Sequence, residues 1–422
     1  MSNPSGSKSP YLLLSALLVS EALFVTGYGL QLMLLPIRGG MEGFSAVDLG
    51  LLGSSYYLGF VAGCLLTPVL LSRVGHTRTF AALVSITAAV SICYPMLAQP
   101  QFWALLRFIT GICLAGLYLI IESWINDRAT SSTRGTMISI YVALNYIATA
   151  VGQMMITLYD ASSFMLFSVA SIVISSAVVP LALSQSPAPQ PPSLVRLRPL
   201  HLFKLSPAGT TAIFLTGMAI GALWSLGPVF ALSKTGDLAS AAQFMSAVVI
   251  GGALAQWPLG KLSDHFDRRH VLIGITLAAT VASVTVALLP QLSGGWLIFA
   301  ALFGATVLPS YAVASAHVFD VADRSEYVQV SGGLLLLYGV GSAMGPMLAA
   351  VAIQWFGLAA LAAFVAVVQL AIVTFVVVRM RLNKLQVVTD KQAFDMTTAA
   401  PVVPAGFGAP SSGERFDARA DD

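Results

Sequence analysis

Long apolar runs, separated by short polar connections, dominate this chain of 422 residues. Charged residues make up 9% of the sequence and hydrophobic residues 57%, whereas about a quarter of an average soluble domain is charged. So few charges cannot cover a water-exposed surface of this size. Because about twenty apolar residues suffice for a helix to cross the hydrocarbon core of a bilayer, the sequence predicts a helical bundle in lipid.

Twelve stretches reach this length, in two sets of six. They predict an all-α membrane protein with twelve transmembrane helices in two six-helix bundles. The first apolar run is far longer than the ~7–15 residues of a signal-peptide core, so it is expected to be a span. The predicted spans are 11–36, 47–72, 79–98, 101–124, 135–158, 162–184, 208–232, 239–262, 270–290, 295–318, 326–354 and 357–380.

Polar segments divide the rest of the chain. We expect an N-terminal bundle over residues 1–184, a cytoplasmic linker over 185–207, a C-terminal bundle over 208–381 and a disordered cytoplasmic tail over 382–422. Five prolines between residues 187 and 199 of the linker exclude a continuous helix and favour a semi-extended chain. The tail contains too few large apolar residues to form a core of its own.

The distribution of Lys and Arg predicts the orientation in the membrane, because cytoplasmic loops carry an excess of these residues. One set of loops holds most of them, including Arg73, Arg128 and Arg324, while the opposite loops hold only Arg38 and Lys234. We therefore expect a multi-pass protein of the bacterial cytoplasmic (inner) membrane with both termini in the cytoplasm.

Patterns typical of enzymes or cofactor sites are not found in the sequence. Cys64, Cys93 and Cys113 lie in apolar stretches without metal-ligand spacing. Without a nucleotide-binding loop, transport would draw on an ion gradient or on simple facilitation. We expect no enzymatic activity, no cofactor and no metal. Because topology explains the basic loops, we also expect no nucleic-acid partner.

The two sets of spans are related by a shift of 193 residues. Corresponding loops then lie on the same side of the membrane, which predicts a parallel repeat about an axis along the membrane normal, with a substrate site between the halves. Chance matching among Gly-rich apolar helices is the alternative. The shift superposes Gly111 on Gly304, Tyr118 on Tyr311, Asp127 on Asp320, Gly152 on Gly345 and Met154 on Met347.

Two motifs make the chain resemble a known family. Residues 260–269, between the predicted eighth and ninth spans, match a loop motif with a Gly, an Asp and following bases, and residues 107–111 match an Arg-containing motif of the fourth span. Both motifs resemble those of the major facilitator superfamily, and the whole pattern is similar to its YcaD-like efflux branch. The resemblance implies secondary transport by alternating access and names no substrate.

The sequence departs from the family pattern in three places, and the first is Asp267, which stands where the second copy of the loop motif usually has Gly. The first copy of the loop motif has Pro68 and Ser72 where Gly and Asp are usual. The fifth span lacks the Pro of the motif that drug/proton antiporters of the superfamily carry. The missing Pro argues against multidrug antiport.

Glu21 and Arg107 are the two charges that lie well inside predicted spans. A charge at the centre of a span costs about 2.5–3.5 kcal/mol on insertion scales, so each is a candidate functional group. Glu21 lies roughly 15 Å into span one and Arg107 about two turns into span four, so we expect their side chains to approach across a central cavity. We expect Glu21 to be a protonation site. A fixed ion pair between the two spans is the alternative.

A second group of charges lies at the predicted cytoplasmic ends of spans. Glu122 shares a face of span four with Arg107 but lies about 22 Å further along, near the basic loops. In the superfamily such loop charges gate the transporter rather than bind substrate. A solvated helix end is the alternative for Glu122. The candidate gating residues are Arg73, Glu122, Arg134, Gly260, Asp264, Arg268 and Arg269.

Polar and aromatic side chains within the spans are candidates to line the cavity, although each could instead be a helix-packing contact. On span five, Tyr141, Asn145, Thr149 and Gly152 form one stripe. The candidate coupling and cavity residues are Glu21, Arg107, Tyr28, Gln31, Tyr118, Asn145, Trp224, Gln256, Tyr311 and Tyr338.

These features predict a secondary active transporter that moves a small solute by alternating access, and proton-coupled efflux is the preferred version. Two alternatives remain open. One is proton-coupled or facilitated uptake of a small organic acid or nutrient, in which Arg107 would pair with a substrate carboxylate. The other is a non-transporting membrane sensor with the same fold. The expected partners are a small-molecule substrate, protons and the lipid bilayer, and the chain is expected to act as a monomer.

Overall fold

Helices form nearly all of the chain that the computed structural model describes, which is residues 10–128, 134–184, 199–289, 295–323 and 326–382. Fifteen α-helices lie in these ranges. They are α1 (Pro10–Met41), α2 (Ala46–Val74), α3 (His76–Cys93), α4 (Pro100–Arg128), α5 (Arg134–Met154), α6 (Met165–Ser176), α7 (Val178–Ala182), α8 (Pro199–Leu205), α9 (Pro207–Thr235), α10 (Leu238–His265), α11 (Arg268–Leu288), α12 (Trp296–Val307), α13 (Ser310–Val321), α14 (Tyr327–Phe356) and α15 (Ala360–Leu382).

These helices form twelve spans, each of which is long and apolar enough to cross a membrane. α6 and α7 together form the sixth span, and α12 and α13 form the tenth. The prediction of twelve spans is therefore confirmed. Helical hydrogen bonds satisfy most backbone N–H and C=O groups within each span, as the hydrocarbon of a bilayer requires.

The end of the predicted linker is helical rather than semi-extended. α8 begins at Pro199, where proline is tolerated because the first N–H groups of a helix have no intrahelical acceptor. Leu202 is buried, and its carbonyl accepts a hydrogen bond of 2.9 Å from the Thr210 hydroxyl. This anchors α8 against α9. Residues 185–198 and the predicted tail beyond residue 382 lie outside the described part of the chain.

The internal repeat reappears in the crossings of α2 with α4 and of α10 with α12. A Cβ added to Gly111 would lie 2.0 Å from the Tyr56 carbonyl oxygen, and one added to Gly304 would lie 1.9 Å from the Val248 carbonyl oxygen. Both distances are far below van der Waals contact. Glycine is therefore what allows the two backbones to touch at each crossing.

A second pair of crossings obeys the same relation. A Cβ at Gly152 would lie 2.1 Å from the Thr26 carbonyl oxygen of α1, and a Cβ at Gly345 would lie 2.0 Å from the Met218 carbonyl oxygen of α9. Equivalent glycines thus make equivalent contacts in both halves. This agreement confirms the parallel repeat and excludes chance matching.

Alanine at either glycine of the first pair should destabilise the protein. In Gly111→Ala and Gly304→Ala, the added methyl group must push two backbones apart, and overpacking of this kind typically costs about 1–3 kcal/mol. Thermal unfolding in detergent would measure the loss. The matched control is Gly274→Ala on α11, because a Cβ there meets nothing within 4 Å. Equal stability of Gly111→Ala and the control would contradict the prediction.

The two halves meet along α2 and α14 and along α5 and α10. A Cβ at Gly53 would lie 2.0 Å from the Ser225 hydroxyl of α9, which places α2 close to the C-terminal half. On the other side, the Tyr146 hydroxyl donates to Gln256 Oε1 at 2.5 Å, and the Ser246 hydroxyl donates to the Ala150 carbonyl at 3.2 Å. Polar contacts therefore bridge the halves inside the membrane.

Candidate functional site

Buried polar and aromatic side chains are concentrated in the interior of the bundle. All ten residues predicted for coupling or for the cavity are buried, and seven of them hold polar side-chain atoms without a hydrogen-bond partner in the described structure. Buried polar groups in proteins are normally satisfied by protein or by water, so this concentration indicates a region suited to water or solute. The seven are Glu21, Tyr28, Gln31, Arg107, Tyr118, Asn145 and Trp224.

Glu21 is fully buried on α1 and faces α5. The Asn145 side-chain amide donates a hydrogen bond to Glu21 Oε1, while Oε2 has no partner among the described residues. The Glu122 carboxyl is close enough for the two charges to interact. The polar contact of Glu21 is therefore an amide, and a second acid lies within electrostatic range.

The crossing of α1 and α5 explains this arrangement. A Cβ at Gly29 would lie 2.8 Å from the Thr149 carbonyl oxygen, so the backbones touch one turn above Asn145. The predicted stripe on span five thus faces α1. Thr149 and Gly152, at one end of the stripe, pack against α1. Asn145 lies one helical turn before Thr149 and contacts Glu21.

Arg107 lies on α4 in an aromatic environment. Its guanidinium carbon is 4.4 Å from the centroid of the Tyr56 ring, and the Tyr28 and Tyr56 rings stack at 5.9 Å. No salt bridge to Arg107 occurs within the described ranges, and its Nη1 has no hydrogen-bond partner there. Tyr56 was not among the predicted site residues. Nothing in the sequence shows which residue of α2 faces the Arg107 side of α4.

The expected approach of Glu21 and Arg107 is wrong, and so is the alternative of a fixed ion pair. Arg107 lies beside Tyr28, which is seven residues beyond Glu21 on α1 and therefore about 10 Å further along the helix. The prediction failed because α1 extends to Met41, five residues beyond the predicted end of the span. Glu21 and Arg107 therefore lie at different depths in the helical bundle.

Glu122 is only 7% exposed, so the alternative of a solvated helix end is wrong. It lies close enough to Glu21 and to Tyr311 of the C-terminal half for electrostatic interaction. The sequence also predicted two other gating residues in the first half, Arg73 and Arg134. Arg73 is exposed, and the side chain of Arg134 lies outside the described part of the chain.

The gating residues predicted in the second half form a compact charge cluster between α10, α11 and α13. Arg268 contacts Asp320 at 2.9 Å and Asp264 at 3.3 Å, and the Arg268 and Asp320 side chains are 2% and 4% exposed. Gly260 is buried, and its carbonyl accepts a 2.7 Å hydrogen bond from the Ser263 hydroxyl. Asp320 was missed as a site residue, although the repeat had already paired it with Asp127.

Arg269 pairs with Asp267. The two side chains approach to 2.9 Å at the turn before α11. Partial burial would raise the pKa of the Asp267 carboxyl, but hydrogen bonds from the Arg269 side chain and backbone N–H hold that pKa below its usual value. Asp267 is therefore ionised, and its carboxylate caps the N-terminus of α11.

Comparison with known proteins gives consistent matches. A family model described as Major Facilitator Superfamily matches residues 17–234 and 209–410. The chain is 27% identical over 325 residues to the uncharacterized MFS-type transporter YcaD of Escherichia coli (strain K12 / DH10B), which covers 76% of this chain and 84% of that protein.

Solved structures share the fold at low sequence identity. The crystal structure of nucleoside transporter NupG matches with a TM-score of 0.72 at 16% identity, covering 89% of this chain and all of that one. A bacterial homolog of the human lysosomal transporter Spinster, in an inward-facing and unoccupied conformation, matches with a TM-score of 0.66 at 19% identity, covering 88% and 96% of the two chains.

Proposed function

The chain belongs to the major facilitator superfamily of secondary transporters, and from the chemistry of its interior we propose that it couples export of a small solute to the movement of protons. The superfamily assignment makes it a multi-pass membrane transporter of twelve spans. Beyond the superfamily assignment, we propose export as the direction of transport and the proton as the coupling ion.

The observation that supports proton coupling is the environment of Glu21. A carboxylate in a dry interior needs a cation, several hydrogen-bond donors or water. Glu21 makes no salt bridge among the described residues and receives one donor, from Asn145. Such a group can hold a proton while the site is sealed and release it when a conformational change admits water. Proton binding is then linked to alternating access.

Glu122 strengthens this proposal because it is a second acid at the same site. Two carboxyls that sense each other titrate as a pair rather than independently. Glu122 also lies within electrostatic range of Tyr311, so the charge of the pair is sensed in the C-terminal half. A change in the relative position of the halves would therefore alter the affinity of the pair for a proton.

Export is proposed from the similarity of the sequence pattern to an efflux branch. The Lys and Arg distribution supports cytoplasmic termini, with residues 1–184 and 208–381 as the two moving bundles and 185–207 as their linker. Proton-coupled uptake of an organic acid is the second candidate. The observation in its favour is Arg107, a buried cation without a carboxylate partner in the described structure.

Flux measurements on the full-length chain in proteoliposomes would test the proposal. Solutes first identified by altered sensitivity of deletion and overexpression strains would be supplied as radiolabelled compounds. For one-to-one exchange with the membrane potential held at zero, a gradient of one pH unit, acidic inside, should drive about tenfold accumulation, because a tenfold ratio corresponds to about 1.4 kcal/mol.

The direction of the effective gradient separates the candidates. Accumulation driven by an acidic exterior would indicate symport and would favour uptake over export. Equal flux with the gradient present and with the gradient collapsed by an ionophore would exclude proton coupling. Protein-free liposomes provide the baseline.

A further inference from the structure

A narrow cavity lies between the two halves, at a different level from the acid pair, and its free volume of about 10 Å³ has room for about one water molecule in this arrangement of the helices. Its walls are leucines and a proline from α1 and α2. Four polar side chains also line it: Gln31, Arg107, Trp224 and Ser225. Arg107 comes from the N-terminal half and Trp224 and Ser225 from the C-terminal half, so the site is complete only when both halves are in place.

The charge of Arg107 is the feature of this cavity that most needs a partner. The residue is 6% exposed, and its Nη1 makes no hydrogen bond in the described structure. The contact with the Tyr56 ring is a cation–π interaction, which offsets only part of the cost of burying a guanidinium. A ligand that carries one negative charge would compensate the rest.

The other polar atoms of the cavity fit the same class of ligand. The Trp224 Nε1–H and the Ser225 hydroxyl have no hydrogen-bond partners in the described part of the chain, and both can donate. Gln31 Oε1 is a further atom without a partner, and it can accept. The cavity therefore combines a positive charge and two donors with one acceptor and apolar walls.

We propose that Arg107, Trp224 and Ser225 bind the carboxylate of an organic monoanion with an apolar body, and that this monoanion is the transported solute. A guanidinium fork matches the two oxygens of a carboxylate, and a single cation balances a single negative charge. A dianionic phosphate would retain an uncompensated charge among the apolar walls. The proposal rests on the proposed transport function and adds the class of solute.

Because the three donors belong to different halves, binding of the anion is coupled to their relative position. α2 and α9 already approach closely beside the cavity, where a Cβ on Gly53 would overlap the Ser225 hydroxyl. A carboxylate held by these donors would thus bridge α4 and α9, and its apolar body would require the α1 and α2 walls of the cavity to move outward from the arrangement seen here. Separation of the halves would weaken its binding, which is the requirement for release.

Equilibrium binding to the purified full-length protein in detergent would test the proposal. The probes are four monocarboxylates, acetate, benzoate, octanoate and 2-naphthoate, each compared with its neutral amide, and binding would be followed by calorimetry and by tryptophan fluorescence. We expect at least one of the carboxylates with an apolar body to bind at least tenfold more tightly than its amide. Arg107→Gln should weaken that binding by at least tenfold, and Trp224→Phe should weaken it several-fold.

The control is Arg78→Gln, which removes an exposed arginine and should leave binding unchanged. Size-exclusion profiles would verify folding, and Arg107→Lys, which keeps the charge but loses the fork, would replace Arg107→Gln if that variant misfolds. We expect the lysine variant to bind at least threefold more weakly than the wild type. Equal binding of acid and amide, no binding of any probe, or unchanged binding by the folded Arg107 variant would overturn the proposal.

Inorganic phosphate is a further probe. If it competed as strongly as the carboxylate, the site would be a general phosphate or lipid-headgroup site and the carboxylate assignment would be wrong. This test uses no proton gradient, so its failure is distinct from a failure of proton coupling. Gradient-driven flux of a neutral or cationic solute would leave the coupling proposal standing while excluding the monoanion.

Discussion

Glu21→Gln should abolish the dependence of transport on the pH gradient. Glutamine keeps the size of the side chain and can still hydrogen-bond to Asn145, but it cannot exchange a proton. We expect the accumulation driven by one pH unit to fall about tenfold, to the level reached without a gradient. Solute-for-solute exchange should persist, because that process needs alternating access but no proton.

The control for this variant is Glu42→Gln. Glu42 lies just beyond the end of α1 and pairs with Arg38 at 2.6 Å in a partly exposed position, so it should not affect coupling. Glu122→Gln should give a partial defect, and the double variant should show a loss that is not the sum of the two, since the acids interact. If Glu21→Gln retained gradient-driven accumulation, Glu21 could not be the coupling group.

Removal of the Asp320 carboxylate should destabilise the protein far more than removal of an exposed charge. In Asp320→Leu, the Arg268 guanidinium remains almost completely buried beside Asp264, which is 3.3 Å away and partly exposed. Breaking a buried pair by deleting one partner typically costs about 3–5 kcal/mol because the remaining charge is uncompensated. The residual contact with Asp264 places the expectation at the lower end of this range.

The double variant Arg268→Met with Asp320→Leu should recover most of the loss, because it leaves no fully buried ion without a partner, and Asp264, which loses its contact with Arg268, is partly exposed. Thermal and denaturant unfolding in detergent would compare the three proteins. The matched control is His201→Ala, which removes an exposed pair with Glu326 and should cost at most about 1 kcal/mol. A single Asp320 variant as stable as this control would show that the cluster does not stabilise the folded state.

If the cluster has a gating role, the same variants should also change transport. The Arg268 contacts with Asp264 and Asp320 join α10, α11 and α13. The network can act in gating by keeping the ends of these helices in a fixed arrangement that the other half recognises.

The sequence by itself determined the twelve spans, the two sets of six and the repeat that relates them. It could do so because hydrocarbon offers no hydrogen-bond partners, so every crossing segment must be a long apolar helix whatever its neighbours are. Gly111 and Gly304 could be paired from the sequence for a related reason, since close backbone crossings require glycine at equivalent positions in both halves.

Only the tertiary structure decided which buried groups meet. The level of a residue depends on where its helix begins, ends and tilts, and an error of a few residues in α1 was enough to bring Glu21 wrongly opposite Arg107. Asn145 contacts Glu21 and Tyr56 contacts Arg107 because particular helices cross at particular points. Those contacts are set by packing between segments far apart in the chain, and no local pattern of apolar residues records them.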